Sequence, residues 1–160
     1  MALLEVKNLM FKYAGCSVPV IEGIRLSVKK GDFVVLCGKS GCGKTTFLRN
    51  LKPAIAPYGK LQGDINLDGI SISSLSERDQ ASKIGYILQN PENQIVTDKV
   101  WHELAFGLES LGLNRQSIKI RVAEMASFFG IQTWFRKKTD ELSGGQKQIL
   151  NLTSVSLNMQ

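Results

Sequence analysis

The sequence predicts an α/β fold, β-rich at its start and helical in its second half. Three observations carry that expectation. Apolar and polar residues alternate along the early segments, as in half-buried strands. The apolar run Phe33-Val34-Val35-Leu36-Cys37 meets a glycine-rich loop that leads into a helical stretch. From Val100 onward, apolar residues recur at three- and four-residue spacing, the period of an amphipathic helix.

Each element has its own local signal. Leu3, Val6, Leu9, Phe11 and Tyr13 alternate with Glu5, Lys7, Asn8 and Lys12, which predicts a strand ended by a turn at Gly15. Ile24, Leu26 and Val28 alternate with Arg25, Ser27 and Lys29, a second half-buried strand over 21–28. The run Phe33 to Cys37 has no polar face, which predicts a strand covered on both sides, as in a parallel sheet. Lys44 to Lys52 reads as a short helix stopped by Pro53. Ile65 and Leu67 form a β patch before the Asp68-Gly69 turn. Ser76 with Asp79 three residues on marks a helix start. Ile84 to Leu88 is another apolar strand, stopped by Gln89-Asn90-Pro91.

In the second half, Val100, Leu104, Leu108 and Leu111 share one helical face, and Gly112 suits its C-terminal end. Asn114 suits the N-cap of a helix carrying Ile118, Val122, Met125, Ala126 and Phe129 inward, with Gly130 after it. Trp134-Phe135 predicts a short third helix, and a last helix starts near Ser143.

Composition narrows the function class. With 160 residues, 43% hydrophobic and 21% charged, the chain suits one globular domain. The longest wholly apolar run, five residues, is far below the roughly 20 needed to span a bilayer. The start Met1-Ala2-Leu3-Leu4-Glu5-Val6 lacks the pattern of a secretory signal, so a soluble intracellular protein is expected. Three cysteines build no disulfide framework, and the single histidine, His102, excludes two-histidine chemistry. The net charge of +6 is compatible with nucleic acid, acidic lipid or phosphate ligands. Arg136-Lys137-Lys138 reads as a solvated helix end, and no basic cluster interleaved with aromatics argues for nucleic acid.

Gly38-Lys39-Ser40-Gly41-Cys42-Gly43-Lys44-Thr45 fits the G-x-x-x-x-G-K-[ST] phosphate loop. Glycines let the backbone wind so that successive N–H groups converge on phosphate oxygens. The helix that begins at Lys44 adds its positive dipole end. Lys44 can reach the β and γ phosphates, and the Thr45 hydroxyl is a Mg²⁺ ligand. Gly38, Ser40, Gly41, Cys42, Gly43, Lys44, Thr45 and Thr46 are the candidate cofactor-binding residues here. Cys42 reads as a small residue that fits the loop, with a reactive thiol as the alternative.

A second motif, Leu142-Ser143-Gly144-Gly145-Gln146, sets paired glycines and a capping serine at another helix start. With this motif about a hundred residues after the phosphate loop, the chain resembles the ATP-binding cassette (ABC) family. The resemblance implies a P-loop NTPase fold with an N-terminal antiparallel β region and a helical subdomain, binding ATP and Mg²⁺. Residues 1–89 would form the β region and phosphate-loop core, 90–142 the helical subdomain and 143–160 the signature helix. Tyr13 matches the aromatic residue that stacks on adenine. Gln89 matches the glutamine that reaches Mg²⁺ or the attacking water and senses the membrane partner, making it a candidate catalytic and metal-site residue. Ser143, Gly144, Gly145 and Gln146 match the signature that serves a nucleotide held by the other subunit of a head-to-tail dimer.

The stretch Tyr86-Ile87-Leu88-Gln89-Asn90-Pro91-Glu92-Asn93-Gln94-Ile95-Val96, followed by Glu103-Leu104-Ala105-Phe106-Gly107-Leu108-Glu109, is similar to ATPase subunits of energy-coupling-factor importers. That implies a peripheral protein on the cytoplasmic face of a prokaryotic membrane, partnered by integral membrane subunits and a second ATPase subunit or domain. Ile149 departs from the arginine many cassettes carry there.

The family pattern continues into an apolar strand ending in Asp-Glu and a switch histidine, which these 160 residues do not contain. Asp140 and Glu141 precede the signature and read as the approach to a helix start; His102 reads as a helix-surface residue. The expectation is that this segment alone is poorly soluble or partly unfolded, binds MgATP weakly and turns over none. A non-hydrolysing nucleotide-binding or dimerisation module and a non-transport cassette ATPase are the competing readings.

Overall fold

The computed structural model describes residues 2–159. The chain divides into two compact units, Met1–Gln80 and Ala81–Gln160. In the first, β1 (Ala2–Tyr13), β2 (Ile21–Lys29), β3 (Gly59–Leu67) and β4 (Ile70–Ser71) form one antiparallel sheet ordered β2-β1-β3-β4. The alternation of β1 buries Val6, Leu9 and Phe11, with Ile21 and Ile65 from its neighbours. The step of three from Val6 to Leu9 breaks the two-residue period, and a bulge absorbs it. Pairing with β3 passes from Lys7–Asp64 to Met10–Gln62, and Asn8 turns left-handed at φ 53°.

Gly63 faces that bulge at φ +94°, where a Cβ would lie 2.5 Å from the Asn8 carbonyl oxygen and 2.6 Å from that of Lys7. Both obstacles are backbone, so neither can swing aside. Gly63→Ala should therefore lower stability by about 2 kcal/mol or more, read as a shifted urea midpoint.

α1 (Lys44–Asn50) is two residues shorter than expected. Leu51 caps it, and Pro53 opens a 3₁₀ turn, Pro53–Ile55. α2 (Glu77–Lys83) starts as predicted: Ser76 Oγ accepts from the Asp79 N–H at 3.1 Å and donates to Asp79 Oδ2 at 2.6 Å.

Two predicted strands are corrected. Phe33–Cys37 and Ile84–Leu88 belong to no sheet, and the first is not covered: Phe33 is 92% exposed and Val35 65%. Apolar, β-branched composition makes a segment suited to a strand, but a strand exists only where another supplies ladder hydrogen bonds. No described strand lies alongside either segment. Part of this role falls to a side chain, because the Leu88 N–H donates to Gln94 Oε1 at 2.8 Å.

In the second unit, α3 (Val100–Ser110), α4 (Arg115–Phe128) and α5 (Gly144–Asn158) enclose an apolar core. Val100, Leu104 and Leu108 face it from α3, Ile118, Val122 and Ala126 from α4, and Leu150 and Leu157 from α5. The predicted inward faces hold, with Leu111, Met125 and Phe129 half-buried at the margins. Asn114 caps α4 by accepting from the Ser117 N–H at 2.9 Å. The expected helix at Trp134-Phe135 is a 3₁₀ turn, Gln132–Trp134, and Phe135 meets Trp101 edge-on with ring centroids 5.7 Å apart. His102 is exposed on α3, 3.4 Å from Asp98. Among the described residues no helix is long and apolar enough to cross a membrane.

Candidate functional site

The phosphate loop spans the stretch between Phe33–Cys37 and α1. Gly43, the residue before α1, has φ +93°, and a Cβ there would meet the Val20 carbonyl oxygen at 3.0 Å. Only glycine makes this turn without strain, so the G-K-T spacing has a backbone cause. The Phe47 N–H is the first in α1 to find a helical partner, Gly43 O at 2.8 Å. The N–H groups of Lys44, Thr45 and Thr46 precede it with no side-chain cap. Bare amides at a helix start are what an anion needs.

Lys44 folds back across the loop. Its ammonium donates to the carbonyl oxygens of Gly38 at 2.9 Å and Lys39 at 2.8 Å, and lies 3.6 Å from Cys42 Sγ. The cation thus sits over the loop that leads into α1. Phosphate oxygens carry formal charge and displace neutral carbonyls from an ammonium readily. The donor set fits a polyphosphate. Thr45 is exposed at the start of α1, so its hydroxyl is available to a cation held mainly by phosphate oxygens. No cluster of three or more His, Cys, Asp or Glu among the described residues would hold a metal by itself.

Tyr13 is brought to this loop from the end of β1. Its hydroxyl and that of Thr46 hydrogen-bond at 2.8 Å, and Phe11 packs edge-on against its ring at 5.0 Å. Behind the loop lies an apolar cavity of about 330 Å³ that includes Ile21, Ile24, Leu36 and Phe47 in its lining.

The second unit places Gln89 and the signature. Gln89 is exposed, directly after the segment that Gln94 clips. Gln94 Nε2 also donates to Tyr86 O at 3.4 Å, and Asn90 Oδ1 accepts from the Glu92 N–H at 3.0 Å. The signature helix begins with a reciprocal cap: Ser143 Oγ accepts from the Gln146 N–H at 3.3 Å, and Gln146 Oε1 accepts from the Ser143 N–H at 2.9 Å. Gly144 and Gly145 form its exposed first turn, with open space where side chains would stand. Asp140 and Glu141 sit in a 3₁₀ turn, where Glu141 Oε2 accepts from the Lys138 N–H at 3.1 Å.

The loop after Gln89 is tied to α5. Lys147 Nζ donates to Glu92 Oε1 at 2.7 Å. The hydrogen bond from Lys147, and then its charge, hold the Glu92 carboxyl below its ordinary 4.5. A carboxyl lowered in the folded state adds stability above its unfolded value and loses it as pH falls through the folded value. The ion pair is therefore expected intact at pH 4.5 and above, breaking only as pH falls through the lower folded value. Carboxyl-carbon chemical shifts of Glu92 should titrate below 4.5 in the native chain and return toward 4.5 in Lys147→Met.

Sequence reasoning did not assign roles to three residues. Buried Glu103 accepts from the N–H groups of Val96 at 3.1 Å and Thr97 at 2.9 Å. Gln94 clips the segment before Gln89, and Asn151, fully buried, donates to Pro91 O at 2.9 Å. One signal was present: Asn151 stands between Leu150 and Leu152, and Glu103 shares a helical face with Val100 and Leu104, and a polar residue facing a core requires a partner.

Comparison with known proteins identifies the family. The family model described as ABC transporter matches residues 21–160. A Bacillus anthracis protein provisionally named an ABC transporter ATP-binding protein is 46% identical over 151 residues, 94% of this chain and 27% of that one. The energy-coupling factor transporter ATP-binding protein EcfA1 of Mycoplasmopsis synoviae is 32% identical over 154 residues, 96% of this chain and 57% of its own length. CbiO1 from Clostridium perfringens, described as part of the ABC transporter complex cbiONQ, superposes with a TM-score of 0.84 at 27% identity, covering 98% of this chain and 62% of that one. The chain thus spans about a quarter to somewhat over half the length of these curated relatives. With the family model matched over most of its residues, the chain belongs to the ABC transporter family.

Proposed function

We propose that this chain is the ATP-binding part of an importer ATPase of the energy-coupling-factor type, coupling ATP binding and hydrolysis to solute uptake at the cytoplasmic face of a prokaryotic membrane. The observation that carries the reading is the Lys44 ammonium folded across a glycine loop at a helix start with bare amides. Gly38, Ser40, Gly41, Cys42 and Gly43 wrap the phosphates with their backbone, Lys44 neutralises them, Thr45 holds Mg²⁺ and Thr46 anchors Tyr13 for adenine. Gln89 reaches the metal or the attacking water and reports to integral membrane subunits. Ser143, Gly144, Gly145 and Gln146 serve the phosphate held by a second ATPase subunit or domain in a head-to-tail dimer. The importer type is supported by the likeness to EcfA1 and CbiO1. In this reading 1–89 is the β region and phosphate-loop core, 90–142 the helical subdomain and 143–160 the signature helix.

A polypeptide of these 160 residues alone binds MgATP weakly at best and turns over none. Its one adjacent Asp-Glu pair is Asp140-Glu141, and Glu141 is engaged in a helix-start bond rather than free to act as a base. ATPase activity of this polypeptide above a Lys44→Ala control would refute that.

The coupling role is tested by Gln89→Ala in the ATPase assembled with its membrane subunits. Stimulated turnover should fall about tenfold or more, while MgATP affinity changes by about twofold or less. Equal loss of both removes the sensor role.

A further inference from the structure

Two side chains of α5 that the proposed function leaves unused meet the turn after Gln89. The Lys147 side chain is 15% exposed and bonded to Glu92, whose own side chain is 65% exposed. One helical turn on, Asn151 is fully buried and bonded to the Pro91 carbonyl. Its Oδ1 has no partner among the described residues. A buried acceptor without a partner is a cost that leucine at the same place would avoid. The one bond it makes on its other atom is therefore the reason for an amide there. Lys147 directly follows the signature residues, and the i, i+4 spacing puts both contacts on one face of the helix that begins with them.

We propose that Lys147 and Asn151 are positioning residues, a two-point latch fastening the turn Pro91–Asn93 to the signature helix. A displacement of the Gln89 loop is then carried to Ser143–Gln146, and the reverse. The functional meaning of the latch rests on the proposed roles of Gln89 and the signature. Bonds to consecutive residues, Pro91 and Glu92, stop both sliding and rotation of the turn. Glu103 holds the next stretch through Val96 and Thr97, so the loop has no slack to take up motion before α5 feels it.

Hydrogen exchange of the ATPase assembled with its membrane subunits tests the latch. In the double variant Asn151→Leu with Lys147→Met, the amides of Glu92, Asn93 and Gln94 should exchange about tenfold faster, while those of Leu104 and Leu108 stay within about twofold. Glu92→Gln, altered outside α5, should speed exchange at Gln146 and Lys147, and Lys147→Arg should match the native chain. Lys147→Met alone, changing a partly exposed side chain, keeps the test open where the buried substitution prevents folding. Unchanged exchange at the turn overturns the latch, and so does equal acceleration through α3 and α5, which marks a merely structural contact. MgATP binding is measured separately on the native assembly. An assembly that binds none refutes the proposed function, whereas the exchange pattern alone decides the latch.

Discussion

Lys44→Ala is expected to weaken MgATP binding by about 100-fold, read by titrating a fluorescent ATP analogue into the native and variant chains. The size follows from what the ammonium does. In the native loop it holds two carbonyl oxygens at 2.8 and 2.9 Å. On binding it exchanges these neutral acceptors for charged phosphate oxygens, and losing such charge-assisted bonds costs about 3 kcal/mol, which is about two decades of affinity. Folding should be little affected, because the ammonium bonds lie in an exposed loop. Lys44→Arg keeps the charge, but a planar guanidinium cannot follow the same tight path, so an intermediate loss is expected. Thr45→Ala separates the metal from the phosphate contribution. Its affinity should fall in Mg²⁺ and match the native chain in EDTA. Native-like affinity in Lys44→Ala would show that the loop is not the nucleotide site.

The contrast between readable and unreadable features has a physical pattern. The Gly43 turn, the caps at Ser76, Asn114 and Ser143 and the inward faces of α3 and α4 were legible, because each depends on residues within one or two turns. The fate of Phe33–Cys37 and Ile84–Leu88 was not. Their composition suits a strand, yet the described chain supplies no neighbouring strand to pair with them, and pairing is a property of the neighbour. The site shows the same division. The phosphate-loop candidates are contiguous and are named by spacing alone, as is the Ser143–Gln146 cap. Tyr13 came from the family resemblance, and only the fold shows its hydroxyl tied to Thr46, 33 residues away. The bond from Asn151 to Pro91 closes a separation of 60 residues, and no local pattern around either residue encodes the other.

Glu103→Ala should cost the second unit about 2–3 kcal/mol of stability, the largest effect expected outside the apolar core. One carboxylate oxygen, Oε2, takes both the Val96 and Thr97 N–H groups. Alanine would leave two donors without acceptors and a void where a buried side chain stood. Val96 is 67% exposed, so water can reach its amide and limit the loss; Thr97 is less open, and its orphaned N–H carries more of the cost. Glu103→Gln preserves an oxygen in the same place and forfeits the charge, so a loss of about 1 kcal/mol is expected. The order Ala greater than Gln, measured by urea unfolding, is the signature of an acceptor role; equal losses would assign Glu103 to packing alone. The local consequence separates this residue from Leu108, whose truncation should unfold the core without preference. In Glu103→Gln the exchange of the Val96 and Thr97 amides should rise before that of α3, because the carboxylate holds the loop from outside the apolar cluster. This loop also receives the Thr139 hydroxyl through Thr97 O at 2.9 Å, just before the signature. Loosening it should therefore reach the approach to Ser143 as well as the segment behind Gln89, and faster exchange at Glu141 and Leu142 in Glu103→Gln is the observation that would establish that spread.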